Sequence, residues 1–278
     1  MKKGTKIAIT CASLVVVICA AVCCWYFLYE KPHAEALAKF NAAVEVVEAK
    51  NSELTSAFEE VQSVIDQNKS PLNPTALSDA QTAVTTARTE LIAIPETPSK
   101  TDDILSTAEE LEKPIDYSQQ ISDLANKKKL LEDSIKQMDQ VTQPTEAFVV
   151  ERLQNVSTIT GMAAVTEDHD PNGNLNKSGG YTACVYFSDS QVDRSRIYND
   201  SGDIIEVGTD GGGCIEVYKT AEDAEKRRAY LATFDGTILA NGSHSVIGTV
   251  LIRTSNLLTA TQQNNLEKLV MESLTQLR

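Results

Sequence analysis

The chain has 278 residues, of which 42% are hydrophobic, 23% charged and 5% aromatic, proportions ordinary for a folding protein and well away from disorder. Its net charge of −14 is unevenly placed: residues 1–30 carry Lys2, Lys3, Lys6 and Glu30, a balance of +2, whereas residues 31–278 carry 22 basic and 38 acidic groups, a balance of −16. So acidic an exterior repels phosphate backbones, which excludes nucleic acid as a partner.

Ile7 to Tyr29 is an uncharged run of 23 residues, long enough to cross the roughly 30 Å hydrocarbon layer as a helix. Lys2, Lys3 and Lys6 precede it, and Trp25, Tyr26 and Tyr29 stand at its far end, where amphipathic rings favour the headgroup zone. The expectation is a single-pass anchor over 1–30 in the cell membrane, with a cytoplasmic N-terminus and an extracytoplasmic bulk. A cleaved signal peptide ending at Cys19-Ala20-Ala21 is the competing reading, and the apolar run onward to Tyr29 argues against it. A lipobox is weaker still, because Val22 and Cys23 stand where small residues are usual. Cys11, Cys19, Cys23 and Cys24 lie within this run and act as small hydrophobes.

From Lys31 to Gln143 there is no glycine, and apolar residues recur at helical spacing. Leu37, Phe40, Val44, Val47, Asn51, Leu54, Phe58, Val61 and Ile65 alternate steps of three and four, a heptad seam. Its one polar member, Asn51, either fixes register when buried or lies at the edge in water. If it is buried in a seam with a second copy, Asn51→Leu raises thermal stability. Pro71 and Pro74 end this helix, and Asn73 caps the next, which carries Leu77, Ala80, Val84, Ala87, Leu91 and Ile94 up to Pro95. A third stretch holds Ile104, Ala108 and Leu111, and resumes in shifted phase beyond Pro114 with Tyr117, Ile121, Leu124, Leu131, Ile135 and Met138. The simplest packing is a coiled-coil-like antiparallel three-helix bundle over 31–143, its last helix kinked, acting as a spacer. Helix one, about 54 Å long, overshoots helix two at about 32 Å, so part of it extends as a stalk or pairs with a second copy as a homo-oligomer. Lys127-Lys128-Lys129 reads as a solvated face.

At Gln143-Pro144 the character changes. Of the 13 glycines, all but Gly4 lie beyond this point. Thr145 can cap a helix to about Asn155, and Thr158–Thr166 and Tyr181–Ser188 read as antiparallel strands around a turn-rich Asp168–Gly180. Gly213–Lys219 is a third strand. Thr220 with Asp223 opens a helix to about Phe234, Ser245–Thr254 reads as one long strand, and Thr259 with Gln262 opens a last helix. Leu266, Leu269, Val270, Ser273, Leu274 and Leu277 of that helix are expected to face the sheet. Residues 144–278 therefore form an α+β domain with a mainly antiparallel sheet.

The stretches AFVVERLQNVSTITGMAAVTEDHDPNGNLNKSGGYTACVYF, GTDGGGCIEVYKTAEDAEKRRAYLATFDGTILANGSHSVIGTVLIRTS and LTATQQNNLE resemble membrane-anchored surface proteins of Gram-positive actinobacteria. That group is described as similar to the Ebh extracellular-matrix-binding protein. The resemblance spans most of 72–278 and is close in the C-terminal domain. It implies surface location and this architecture, and no catalytic residue transfers with it.

Asp168, Asp170, Asn172 and Asn174, with Gly173 between the last two, match the first half of a calcium loop. The twelfth position, which should be a bidentate Glu, is Gly179, so Ca²⁺ affinity is expected to be weak; the alternative is a plain Asx-type turn. Beyond possible Ca²⁺, no cofactor is expected. Cys184 and Cys214 lie mid-strand, and outside the cell they favour a disulfide over two buried thiols. Gly208–Gly213 precedes a strand rather than a helix and reads as a turn. With three histidines and no His-Glu-x-x-His, Cys-x-x-Cys or Gly-x-Ser-x-Gly, no catalytic signature is present. The expected function is non-enzymatic: a head domain held on a spacer, contacting an envelope or extracellular protein or glycan. The alternative is an envelope enzyme or a ligand- or Ca²⁺-sensing domain with a site near Asp168–Asn174, drawing on Asp168, His169, Asp170, His244 and Arg253.

Overall fold

The computed structural model describes the backbone of residues 3–237 and 242–278 and the side chains of residues 14–237 and 242–278. Lys2 and the side chains of Lys3, Lys6, Ile7 and Cys11 lie outside the described residues. The chain divides into two compact units, residues 1–67 with 78–128, and residues 68–77 with 129–278.

In the first unit, α1 (Lys3–Trp25) passes through a π-helical turn (Tyr26–Glu30) into α2 (Lys31–Ile65). Pro32 has no N–H to give the carbonyl of Leu28, and the wider turn lies where that bond is missing. Among the described residues this is the one helix long and apolar enough to cross a membrane. Every large apolar side chain from Leu14 to Tyr29 is more than half exposed.

The other helices of this unit are α4 (Thr101–Leu111), most of α3 (Pro74–Glu90) and the first half of α5 (Ser118–Gln140). Asn73 caps α3 as expected, its Oδ1 accepting from the Thr75 amide at 3.1 Å. A core joins Ala36, Phe40, Ala43 and Val47 of α2 to Ile104, Ala108 and Leu111 of α4. The alanines let these two helices approach closely, and they displace the expected seam: Leu37 and Val44 are only half-buried.

Two helix boundaries differ from the sequence reading. The stretch around Pro114 is two helices, not one kinked helix: α4 stops at Leu111, and Asp116 caps α5 by accepting from the Ser118 amide at 2.9 Å. Helix α3 ends at Glu90, short of Leu91 and Ile94. The reason is Asn51. Its side chain donates to the Ile92 carbonyl (2.8 Å) and accepts from the Ile92 amide (3.2 Å), holding that backbone out of the helix. The Tyr117 hydroxyl lies 3.0 Å from Asn51 Oδ1 and 3.2 Å from the Glu90 carbonyl. Asn51 is therefore half-buried and engaged within its own chain.

The second unit is built on a five-stranded antiparallel open sheet in the order β1-β2-β3-β5-β4. The strands are β1 (Ile159–Ala164), β2 (Ala183–Asp189), β3 (Gly212–Val217), β4 (His244–Ile247) and β5 (Val250–Thr254). One sheet face presents Val185, Phe187, Ile215, Val217, Val250 and Ile252 to α6 (Glu146–Leu153) and α9 (Ala260–Thr275), through Val149, Leu153, Leu266, Val270 and Leu274. The opposite face presents Cys184, Tyr186, Cys214 and Leu251 to α8 (Ala221–Ala232), which contributes Ala224 and Leu231, and to Ile204 and Ile205 of the short α7 (Ile204–Val207). Burial on both faces explains why β2 reads as a nearly unbroken buried run rather than an alternation.

Helices α6, α8 and α9 are capped as expected by Thr145, Thr220 and Thr259, the last with Gln262 in a full capping box. Leu269 is a correction: it is 40% exposed and leaves the core to its neighbours. The single strand expected over Ser245–Thr254 is also corrected, to a hairpin. Ile247 pairs with Val250, and Gly248 at φ 58° takes the first position of the two-residue turn. A side chain there would also meet the Val141 carbonyl at 2.4 Å.

Candidate functional site

The face under α8 holds charges as well as apolar side chains. Along β3 the pleat sends Ile215 and Val217 to one side and Cys214 and Glu216 to the other, with Tyr218 following. Glu216 is fully buried. Its Oε1 accepts from Arg253 Nη1 at 2.7 Å, its Oε2 accepts from the Tyr218 hydroxyl at 2.6 Å, and Arg227 Nε lies 3.4 Å from Oε2. Arg253, on β5, is itself buried. Burial disfavours its charge, but the Glu216 carboxylate hydrogen-bonded to it helps to offset this, and the net shift of its pKa is upward. Burial, reinforced by Glu216, raises that of the Tyr218 phenol.

Cys184 and Cys214 are both buried free thiols on this face. The register sets Cys184 opposite Glu216 and Cys214 opposite Tyr186, so the two cysteines are diagonal neighbours on adjacent strands. Its hydrogen bond to Cys214, then burial, pushes the Cys184 thiol well above its ordinary pKa. A thiol held protonated in this way is a poor nucleophile at neutral pH.

The turn-rich segment before β2 is organised by Asp170. Its carboxylate accepts from the amides of Asn172 (3.0 Å), Asn174 (2.6 Å) and Leu175 (2.8 Å), and from the Tyr181 hydroxyl. Burial opposes its ionisation, but the Tyr181 hydroxyl and these three amides outweigh burial and lower its pKa. Asn172 turns its amide to the Tyr186 hydroxyl at 3.0 Å. Asp168 is exposed, and His169 Nε2 meets Glu206 Oε1 at 3.0 Å. Asp168, Asp170, Asn172 and Asn174 thus share one loop. The oxygens of Asp170, however, face N–H and O–H donors, which take the lone pairs a cation would use.

Beside this loop lies a polar cleft of about 920 Å³, between the 174–182 segment, the end of β3 and the first turns of α8. Four cations line it, Lys177, Lys219, Lys226 and Arg227, against one carboxylate, Asp223. Its floor is held from below, because Tyr218 and Arg227 both engage the buried Glu216. The loop wall is tight: a side chain on Gly180 would meet the Asn174 carbonyl at 2.0 Å. Asp168, His169, His244 and Arg253 do not line this cleft. His244 sits opposite Arg253 in the sheet and 3.6 Å from Asp235. Lys127, Lys128 and Lys129 pair with Asp79, Glu60 and Asp133 respectively.

The Glu216–Arg253 pair escaped the sequence reading, although a signal existed. GCIEVYK and SVIGTVLIRT each carry a lone charge of opposite sign inside an apolar strand, and buried charges require partners. The cleft had no comparable signal, since its cations come from three separate segments. No protein-family model matches the chain, and neither a curated protein nor a solved structure is detectably similar to it.

Proposed function

We propose that this chain is a single-pass membrane protein of non-enzymatic character. Its N-terminal helix anchors an antiparallel helical spacer, which presents the α+β head to a partner in the cell envelope or beyond. The observation that carries this reading is the sleeve of apolar side chains from Leu14 to Tyr29, exposed along its whole length and continuous with α2. At about 25 cal/mol per Å² of apolar surface left in water, such a sleeve favours transfer into an apolar solvent such as a bilayer core. The lysines ahead of it favour an N-terminus on the cytoplasmic side. The resemblance to membrane-anchored actinobacterial surface proteins points the same way. Although both thiols stand free in the structure, export to an oxidising compartment would favour joining the neighbouring Cys184 and Cys214 in a disulfide.

Protease added to intact cells tests the topology. Trimming of the head with retention of the membrane segment is expected, and full protection of the head refutes the reading. Alkylation of the denatured chain before and after reduction tests the bridge: two thiols should appear only on reduction.

A further inference from the structure

We infer that the cleft beside α8 is a binding site for a small polyhydroxylated oxyanion, a sugar bearing a phosphate or a carboxylate. This deepens the proposed surface role by naming the ligand chemistry of the head.

The first observation is charge. In a chain of net charge −14, four cations from three segments converge on one cleft lined by a single carboxylate. Two of the four are compensated. Lys226 faces Glu222 at 3.0 Å and Asp223 at 3.9 Å, and Arg227 faces Glu216. Lys177 and Lys219 form no ion pair among the described residues, while every lysine of the Lys127–Lys129 cluster does. Two uncompensated ammonium groups in a concave polar wall raise the local concentration of anions, and each can give an oxyanion a charge-assisted hydrogen bond.

The second observation is the size and lining of the cleft. Its volume, about 920 Å³, lies in the range of small-molecule sites and far exceeds what a bare inorganic anion needs. Asn174 and Ser178 add an amide and a hydroxyl to the wall. Such groups pair with sugar hydroxyls, which both donate and accept. The third observation is preorganisation. Glu216 fixes Tyr218 and Arg227 from below, and Asp170 holds the loop that carries Lys177 through bonds to the amides of Asn174 and Leu175. Little ordering cost is left for the ligand to meet.

The test uses the full chain in nanodiscs of zwitterionic lipid, titrated calorimetrically with glucose 6-phosphate, glucuronate, glucose and inorganic phosphate. Saturable binding of glucose 6-phosphate or glucuronate is expected, and the stronger of the two shows whether phosphate or carboxylate is the favoured anion. Glucose should not bind, and inorganic phosphate should bind at least about 10-fold more weakly, since it lacks the hydroxyl contacts. Lys177→Ala and Lys219→Ala should each weaken binding about 10-fold, with an unchanged melting temperature because both side chains are exposed. No saturable binding of either sugar acid, an affinity unmoved by both substitutions, or inorganic phosphate binding as tightly as the sugar phosphate overturns the inference. The protease experiment reads independently. A protease-accessible head without sugar-acid binding removes the ligand assignment alone, and a protected head with binding removes the surface role alone.

Discussion

Glu216 and Arg253 offer the sharpest test of how the head is held together. Both are buried, joined at 2.7 Å, with Tyr218 and Arg227 completing the shell around the carboxylate. Arg253→Met leaves a buried carboxylate short of its main counter-charge, and Glu216→Leu leaves a buried guanidinium without one. Breaking such a pair from one side costs about 3–5 kcal/mol. At about 2–4 °C per kcal/mol for a unit of this size, each single variant should melt about 6–20 °C lower. Removing both charges is different, because an apolar pair of similar volume recovers the desolvation that the ions never regain. The double variant should therefore be no worse than the milder single, its remaining cost coming from Arg227 and Tyr218, which lose an acceptor. The assay is urea unfolding of the full chain in nanodiscs, read by hydrogen exchange on β3 and β5. Single variants within about 1 kcal/mol of the parent, or a double variant costing the sum of the singles, would show that the pair is solvated and the reasoning wrong.

Asn51→Leu should lower stability by about 1–3 kcal/mol, because it strands the carbonyl of Ile92 and leaves its amide only the Tyr117 hydroxyl at 3.3 Å. A rise in melting temperature would instead place Asn51 in a seam between copies. Gly248→Ala should cost about 1–3 kcal/mol, through the positive φ and the collision with the Val141 carbonyl, and an unchanged denaturation midpoint would refute the hairpin turn. The pKa of Asp170 is lowered on folding, so its contribution is present above the ordinary carboxylate value near about pH 4 and is lost as pH falls through the folded value. Asp170→Asn should accordingly be less stable than the parent at neutral pH and indistinguishable from it in strong acid; a gap that persists in acid would assign the loss to packing. With the Asp170 lone pairs already taken, millimolar Ca²⁺ should leave the melting temperature unchanged, and a clear upward shift would revive the calcium loop.

Local chemistry was legible in the sequence wherever it acts over a few residues. Asn73, Thr145, Thr220 and Thr259 cap helices because the orphan amides they satisfy lie two or three positions away. The apolar helix at the N-terminus was equally plain. What failed depended on partners distant in sequence. Helix α3 stops at Glu90 because Asn51, 41 residues before Ile92, claims that backbone. Ser245–Thr254 passed as one strand because a single glycine in an apolar run does not show that the chain reverses there; the Val141 carbonyl packed against the turn shows it. The cleft was invisible for the same reason, since Lys177, Lys219 and Lys226 look like ordinary surface lysines until the sheet brings them to one rim.

The join between α1 and α2 carries a mechanical consequence. No loop, glycine or serine run intervenes between the apolar sleeve and the helix that packs on α4; the backbone stays hydrogen-bonded through the π turn at Tyr26–Glu30. A helix without a swivel behaves as a lever. If the segment spans a bilayer as proposed, its tilting or twisting is passed to Phe40 and Val47, and from them to Ile104 and Ala108, instead of being absorbed at the surface. A flexible Gly-Ser insertion after Glu30 would cut that linkage and leave both ends folded.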